Sequence, residues 1–182
     1  GEVTADEGIN AALTLAELAA KRPVFRANGT ITGGNSSPLN DGAAAVLLMS
    51  ERAVAAAGVT PMARYAGTAA AGVHPDYMGI GPVPAMTKVL ARAGWQAGGL
   101  DLAEVNEAFA AQAVAVLDEL KLDPAMVNVN GGAIAIGHPL GCSGARITTA
   151  LLHEGRRRGA TRMAASMCIG VGQGIATLWA AA

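Results

Sequence analysis

Apolar residues in this chain switch repeatedly between a helical period and short unbroken runs, with glycine or proline at each switch. After Pro82 and Pro84, the residues Met86, Val89, Leu90 and Ala93 share one helical face and Gly94 closes the run, which predicts a helix. Leu102 to Val105 is a short strand candidate. Beyond Asn106, the residues Phe109, Ala113, Val116, Leu117 and Leu120 fall on one helical stripe, so Asn106 stands at a strand-to-helix junction. Val127 and Val129 lead into Asn130-Gly131-Gly132, and Ser143 is placed to cap a helix carrying Ile147, Leu151 and Leu152. Met163–Cys168 and Ile175–Trp179 are strand-like runs, and the glycine-rich stretch between them predicts a hairpin rather than a crossover.

Upstream, Ala43 to Met49 is continuously apolar, as a strand buried on both faces would be. Ser50-Glu51 then supplies a cap and a first-turn acid for a helix ending at Gly58. Residues 1 to 39 read as mostly loop with one short helix. This alternation predicts an α/β architecture. With 24 glycines in 182 residues and 3% aromatics, layers must pack closely through small side chains.

A formal charge of -1 gives no global field toward nucleic acid or anionic lipid, and neither is expected as a partner. No run approaches the ~18 apolar residues of a membrane span. Two cysteines, Cys142 and Cys168, do not make a disulfide framework, so a reducing, cytoplasmic setting is expected. The opening Gly1-Glu2-Val3-Thr4 carries no signal-peptide pattern and is read as a possible cleavage boundary. The basic run Arg156-Arg157-Arg158 is read as a solvated helix C-terminus. No metal-ligand spacing relates His74, His138, His153 and the cysteines, and the glycine patterns match neither a dinucleotide fingerprint nor a phosphate loop.

Three stretches can carry chemistry. His138, between Gly137 and Pro139, has a restrained backbone and open approach, which suits a general base; a structural loop histidine is the competing reading. Cys168 ends a strand and precedes Ile169-Gly170-Val171-Gly172, where a thiol and bare backbone amides can move a proton and hold an oxyanion; the plain alternative is a small buried hydrophobe. Cys142 is given that plain reading. Asn106, in Asn106-Glu107-Ala108-Phe109, either caps a helix or orients a water.

Taken together, in this order, Asn-Glu-Ala-Phe, Gly-His-Pro and Cys-x-Gly resemble the thiolase signature. Gly34–Ala44 and Met78–Ala85 resemble thiolase segments too, so the likeness runs from about Asp6 onward. It implies a thiolase-like layered fold, with a mixed sheet flanked by helices forming a C-terminal half. Residues 1–39 would end a loop domain, 40–60 would be the last strand-helix piece of the N-terminal half, and 61–182 the C-terminal domain.

The implied chemistry is two-step acyl transfer: a cysteine attacks a 3-ketoacyl-CoA, is acylated, and passes the acyl group to CoA. His138 would activate that cysteine. Asn106, through a water, and His138 would hold the enolate oxygen, and Cys168 would exchange a proton with the acetyl-CoA carbanion. The amide of Gly170 would serve a second oxyanion hole. Ser37 would touch the pantetheine arm, with Met78, Ala108 and Phe109 lining the thioester pocket. Pro38 stands where many thiolases have glycine. Both cysteines match C-terminal positions, so the attacking cysteine would belong to a missing N-terminal half, and this chain alone would be inactive.

CoA and acyl-CoA would be substrates, with no resident cofactor, and the intact enzyme a homodimer or homotetramer. Leu140 and Cys142 resemble degradative, β-oxidation-type thiolases of fatty acid metabolism more than biosynthetic ones. Two other readings were open: a noncatalytic acyl-CoA-binding or assembly module, and a ketoacyl-synthase-like enzyme. The second is opposed by Asn106, where those enzymes generally place histidine, and by Cys168.

Overall fold

The computed structural model describes residues 2, 4–6 and 8–182, so Gly1, Val3 and Glu7, within the opening residues of the expected segment 1–39, lie outside the described residues. Helix α1 (Leu15–Ala20) begins where Thr14 accepts from the Glu17 amide and the Glu17 carboxylate accepts from the Thr14 amide. Among the described residues of 1–39 it is the one α-helix, the rest being turns, bends and isolated bridges, as the composition predicts. Helix α2 (Glu51–Ala57) starts with Ser50 accepting from the Ala53 amide and stops at Gly58, whose φ of 62° is left-handed.

The expected strand at Ala43–Met49 does not form. The segment has no ladder partner, and Leu47 and Leu48 are 83% and 72% exposed. An apolar run becomes a buried strand only when a neighbouring strand takes up its amides and carbonyls. Among the described residues none does. Conversely, β1 (Ala63–Gly72) had no sequence forecast. Its Ala- and Gly-rich stretch has poor strand propensity, and long-range pairing overrides it.

The elements α3 (Pro82–Ala93), β2 (Leu102–Val105), α4 (Ala110–Leu120), α6 (Leu140–Arg158), β3 (Arg162–Ile169) and β4 (Gln173–Ala181) follow the forecast, whereas the short α5 (Ala133–Ile136) forms in a stretch whose glycines read as loop. The sheet order is β1-β4-β3-β2. Only β2 and β3 run parallel, and β3–β4 is the expected hairpin.

Alternation along the strands divides the core in two. Ala103, Val105, Ala164, Ala176 and Leu178 face α3 and α4, where they meet Met86, Val89 and Val116. Leu102, Met163, Ala165 and Trp179 face α6, where they meet Ile147 and Leu151. The structure is thus a mixed sheet with helices on both faces. No described helix is long and apolar enough to cross a membrane.

The glycines that join these layers are under steric pressure. A Cβ on Gly174 would sit 2.0 Å from the carbonyl carbon of Gly81, and one on Gly155 would sit 2.1 Å from the Met163 sulfur. Small residues therefore set the distance between α3 and the hairpin, and between α6 and the sheet.

Candidate active site

Asn106 follows the last residue of β2, and its amide donates to the Ser166 carbonyl on the parallel neighbour β3 (2.9 Å). It does not cap α4. That helix begins after Phe109 with no side-chain cap, and the Asn106 side chain instead turns inward, 1% exposed. Its Nδ2 lies 3.3 Å from Nε2 of His138, and its Oδ1 accepts from Nη2 of Arg146 at 3.3 Å.

His138 reaches this position because Gly137 holds a φ of 94°, and because its own amide donates to the Pro38 carbonyl. A side chain at Gly137 would strike Asn40.

Ser143 is not the cap of α6. The helix starts a turn earlier, after Pro139, because the proline fixes its own φ and leaves its carbonyl free to accept from the Cys142 and Ser143 amides. Freed from capping, the Ser143 hydroxyl donates to that same carbonyl at 3.0 Å and meets His138 Nδ1 at 2.6 Å. A carbonyl only accepts, so the hydroxyl proton is committed there, and at the shorter contact Nδ1 must donate. The neutral ring therefore carries its lone pair on Nε2, facing Asn106. Burial first, and the nearby Arg146 cation second, push the His138 pKa below its ordinary value. A buried, neutral imidazole of fixed tautomer is a competent base at neutral pH.

Behind this pair lies a residue set with no forecast from spacing. Glu104, 3% exposed on β2, faces Arg146 of α6 across 3.8 Å. Burial, partly opposed by Arg146, raises the Glu104 carboxyl to about 7. Glu107 accepts from Asn128 Nδ2 and from the Ile134 amide, which fixes the Gly131–Gly132 loop against β2. Arg146 lies three residues beyond Ser143 on α6, so the two share a helix face, and that spacing was the available signal.

Cys168 is the penultimate residue of β3, one strand from Asn106, and is 5% exposed and free. Burial raises its pKa, so it is a protonated thiol at neutral pH. By alternation it shares a face with Ala164, toward α3 and α4, whereas Asn106 is on the α6 side. No hydrogen bond joins it to His138 or Asn106 among the described residues. Gly170 follows in the hairpin turn. A Cβ there would meet nothing within 4 Å, and its φ is not left-handed.

Of the expected binding residues, Ser37, Ala108 and Phe109 sit together ahead of α4. The Ser37 amide and hydroxyl both donate to the Ala108 carbonyl (3.0 and 3.2 Å), and Ser36 bridges Phe109. Met78 sits in a 3-10 turn, Pro75–Ile80, next to Gly79, which packs on the buried Gln112. Neither amide atom of Gln112 has a hydrogen-bond partner among the described residues. Cys142 is buried beside Gly42, in keeping with its plain reading.

Of the basic run, Arg157 and Arg158 pair with the buried Glu154 while α6 ends at Gly159, so the helix C-terminus is as forecast but two of its arginines are engaged. No metal-binding group of side chains occurs among the described residues.

Comparison with known proteins places these observations in a family. The model of the thiolase C-terminal domain matches residues 59–181, and that of the thiolase N-terminal domain matches 1–52. The chain is 56% identical over 178 residues to an acetyl-CoA acetyltransferase of Shinella zoogloeoides, covering 97% of this chain and 45% of that protein. It is 54% identical over 179 residues to a 3-oxoadipyl-CoA/3-oxo-5,6-dehydrosuberyl-CoA thiolase of Escherichia coli, with the same coverage. Among solved structures, the Bacillus anthracis acetyl-CoA acetyltransferase superposes with a TM-score of 0.95 at 49% identity, over 97% of this chain and 45% of that one. Human mitochondrial 3-ketoacyl-CoA thiolase in complex with CoA gives 0.91 at 45% identity, over 99% and 46%. The chain therefore spans less than half the length of these relatives.

Proposed function

The chain belongs to the thiolase family, and on that premise we propose that it is part of an acyltransferase that cleaves 3-ketoacyl-CoA with CoA, or runs the reverse condensation. The observation that carries this reading is the buried contact between Asn106 and His138, with Nδ1 committed to Ser143 and Nε2 left as the base.

In thiolysis His138 Nε2 takes the proton of the attacking thiol, which forms a thioester with the shortened acyl group. Nε2–H and the Asn106 side, through a water, then stabilise the enolate oxygen as the carbon–carbon bond breaks. Cys168 gives its proton to the acetyl-CoA carbanion. Its raised pKa favours this role over nucleophilic attack. The attacking cysteine is assigned to a preceding segment, and this chain alone is inactive. The open space at Gly170, which neither φ nor packing within the chain explains, supports an approach by substrate to its amide.

The exposed apolar run Ala43–Met49 supports the same division of the protein. With α2, β1 and α6 it borders a concavity of about 950 Å³, lined by Leu47, Leu48, Leu152 and Trp179 among others. Exposed apolar surface of this kind marks a face that something covers, and the missing half is the occupant that fits. Residues 1–39 are assigned to the end of the loop domain, 40–60 to the last piece of the N-terminal half, and 61–182 to the C-terminal half. CoA and acyl-CoA are substrates, no resident cofactor is required, and the intact enzyme is a cytoplasmic homodimer or homotetramer.

Two points stay finer than the family. The similar proteins carry names from both acetyl-CoA acetyltransferases and longer-substrate thiolases, and we assign the degradative direction on Leu140 and Cys142 alone. The test is thiolysis of acetoacetyl-CoA and of a longer 3-ketoacyl-CoA by the full-length protein, beside this chain by itself. Turnover by the first and none by the second is expected. A full-length protein that binds acyl-CoA without turnover would instead be a binding module.

A further inference from the structure

Arg146 is tied by geometry to Asn106, and through it to His138. Its guanidinium lies between Glu104 Oε2 at 3.8 Å and Asn106 Oδ1 at 3.3 Å, from a side chain 19% exposed. Asn106 in turn presents Nδ2 to His138.

The consequence lies in what happens when His138 takes a proton. An asparagine amide can rotate half a turn and exchange its oxygen for its nitrogen at almost no steric cost. Before proton transfer, Nε2 is an acceptor and Asn106 Nδ2 is its fitting partner. After transfer, Nε2–H is a donor, and a free amide would turn Oδ1 toward it. That rotation would consume the Nε2–H donor and turn Nδ2 away, and both are wanted by the substrate oxygen. A guanidinium has donors only, so beside Glu104 it selects Oδ1 and opposes the rotation.

We propose that Arg146, seated on Glu104, is a positioning residue that locks the Asn106 carboxamide, so that protonated His138 and the Asn106 amide both stay available to an oxyanion. This rests on the thiolase reading of the site for its consequence in turnover, but not for its consequence on the imidazole. Arg146→Lys keeps the charge and most of the volume while losing the planar fork, which separates orientation from charge; Arg146→Met removes both.

Two measurements on the full-length protein decide it. In nitrogen-15 NMR of the histidine rings, His138 of the wild type should be the Nδ1–H tautomer. Both variants should titrate at higher pH, Arg146→Met most, because a rotated Oδ1 stabilises the imidazolium and the cation is gone. In kinetics, both should lower kcat roughly tenfold or more with KM changed far less, the scale of lost support behind a reacting group. In an Asn106→Ala background, Arg146→Met should cost no more than about twofold, because there is no amide left to orient.

A His138 titration unmoved in Arg146→Lys, or equal kcat losses in the presence and absence of Asn106, would overturn the proposal. If Arg146→Met does not fold, the Lys variant decides alone. A full-length protein without thiolytic turnover in which Arg146→Lys still shifts His138 would refute the proposed function and leave the lock standing.

Discussion

At the scale of single residues, the site depends on where protons sit. His138 is neutral because it is buried and faces Arg146, and its tautomer follows from the committed Ser143 hydroxyl. His138→Ala in the full-length enzyme should lower turnover by roughly 10²-fold or more, the usual worth of a positioned base, and steady-state thiolysis measures it. Cys168 is a buried thiol with a raised pKa. Cys168→Ser should therefore slow exchange of the acetyl-CoA methyl protons, followed by NMR in deuterium oxide, far more than it slows acylation. Equal losses in both steps would remove Cys168 from the proton-transfer role.

Glu104 makes a third prediction. Burial, outweighing Arg146, raises its carboxyl from 4.5 to about 7. Because the folded value lies above the unfolded one, the folded state binds the extra proton between about 4.5 and about 7, and this group's contribution to stability falls as pH rises through that window. Glu104→Gln removes the titration. Its melting temperature should drop less than that of the wild type between those limits, and an identical pH dependence would contradict a buried, titrating Glu104.

Among elements, those whose signals were local were legible from the residues. Helices α2 and α3 carried a cap or prolines at one end and glycine at the other, and β2 has the bounds of the strand candidate Leu102–Val105. Two strand readings failed, for one shared reason. Ala43–Met49 looks like a strand but finds no partner, while β1 looks like nothing in particular and pairs along its length with β4. Strand formation is decided by neighbours distant in sequence, which a local pattern does not contain.

The close approach of Gly81 and Gly174 was equally hidden, although both lie in recognisable stretches. Since a Cβ on Gly174 would fall 2.0 Å from backbone of Gly81, the hairpin must move to admit one. Gly174→Val should destabilise the protein by about 1–3 kcal/mol, the usual range for overpacking, read as a lowered midpoint in thermal unfolding. Gly98, open on all sides, is the matched control.

For the whole molecule, His138, Asn106, Cys168 and Gly170 were singled out by motif order, and the fold brings His138 against Asn106 and puts Cys168 and Gly170 at the end of the adjacent strand β3. The roles of Arg146, Glu104 and Ser143 had no forecast because they arise from α6 lying across β2, of which the Ser143–Arg146 spacing was the one local trace. Asn106 faces α6 while Cys168 faces α3 and α4, so the two can serve one thioester only at the rim where the strands end.

The central claim, that these groups share one acyl-CoA pocket finished by a preceding segment, is tested most directly by a crystal structure of the full-length protein with a bound acyl-CoA. The account predicts the thioester within hydrogen-bonding reach of His138 Nε2 and the Gly170 amide, with the Cys168 thiol beside its α-carbon and a further cysteine on the opposite side. A thioester bound elsewhere, or a Cys168 thiol walled off from it by α3 and α4, would contradict the account.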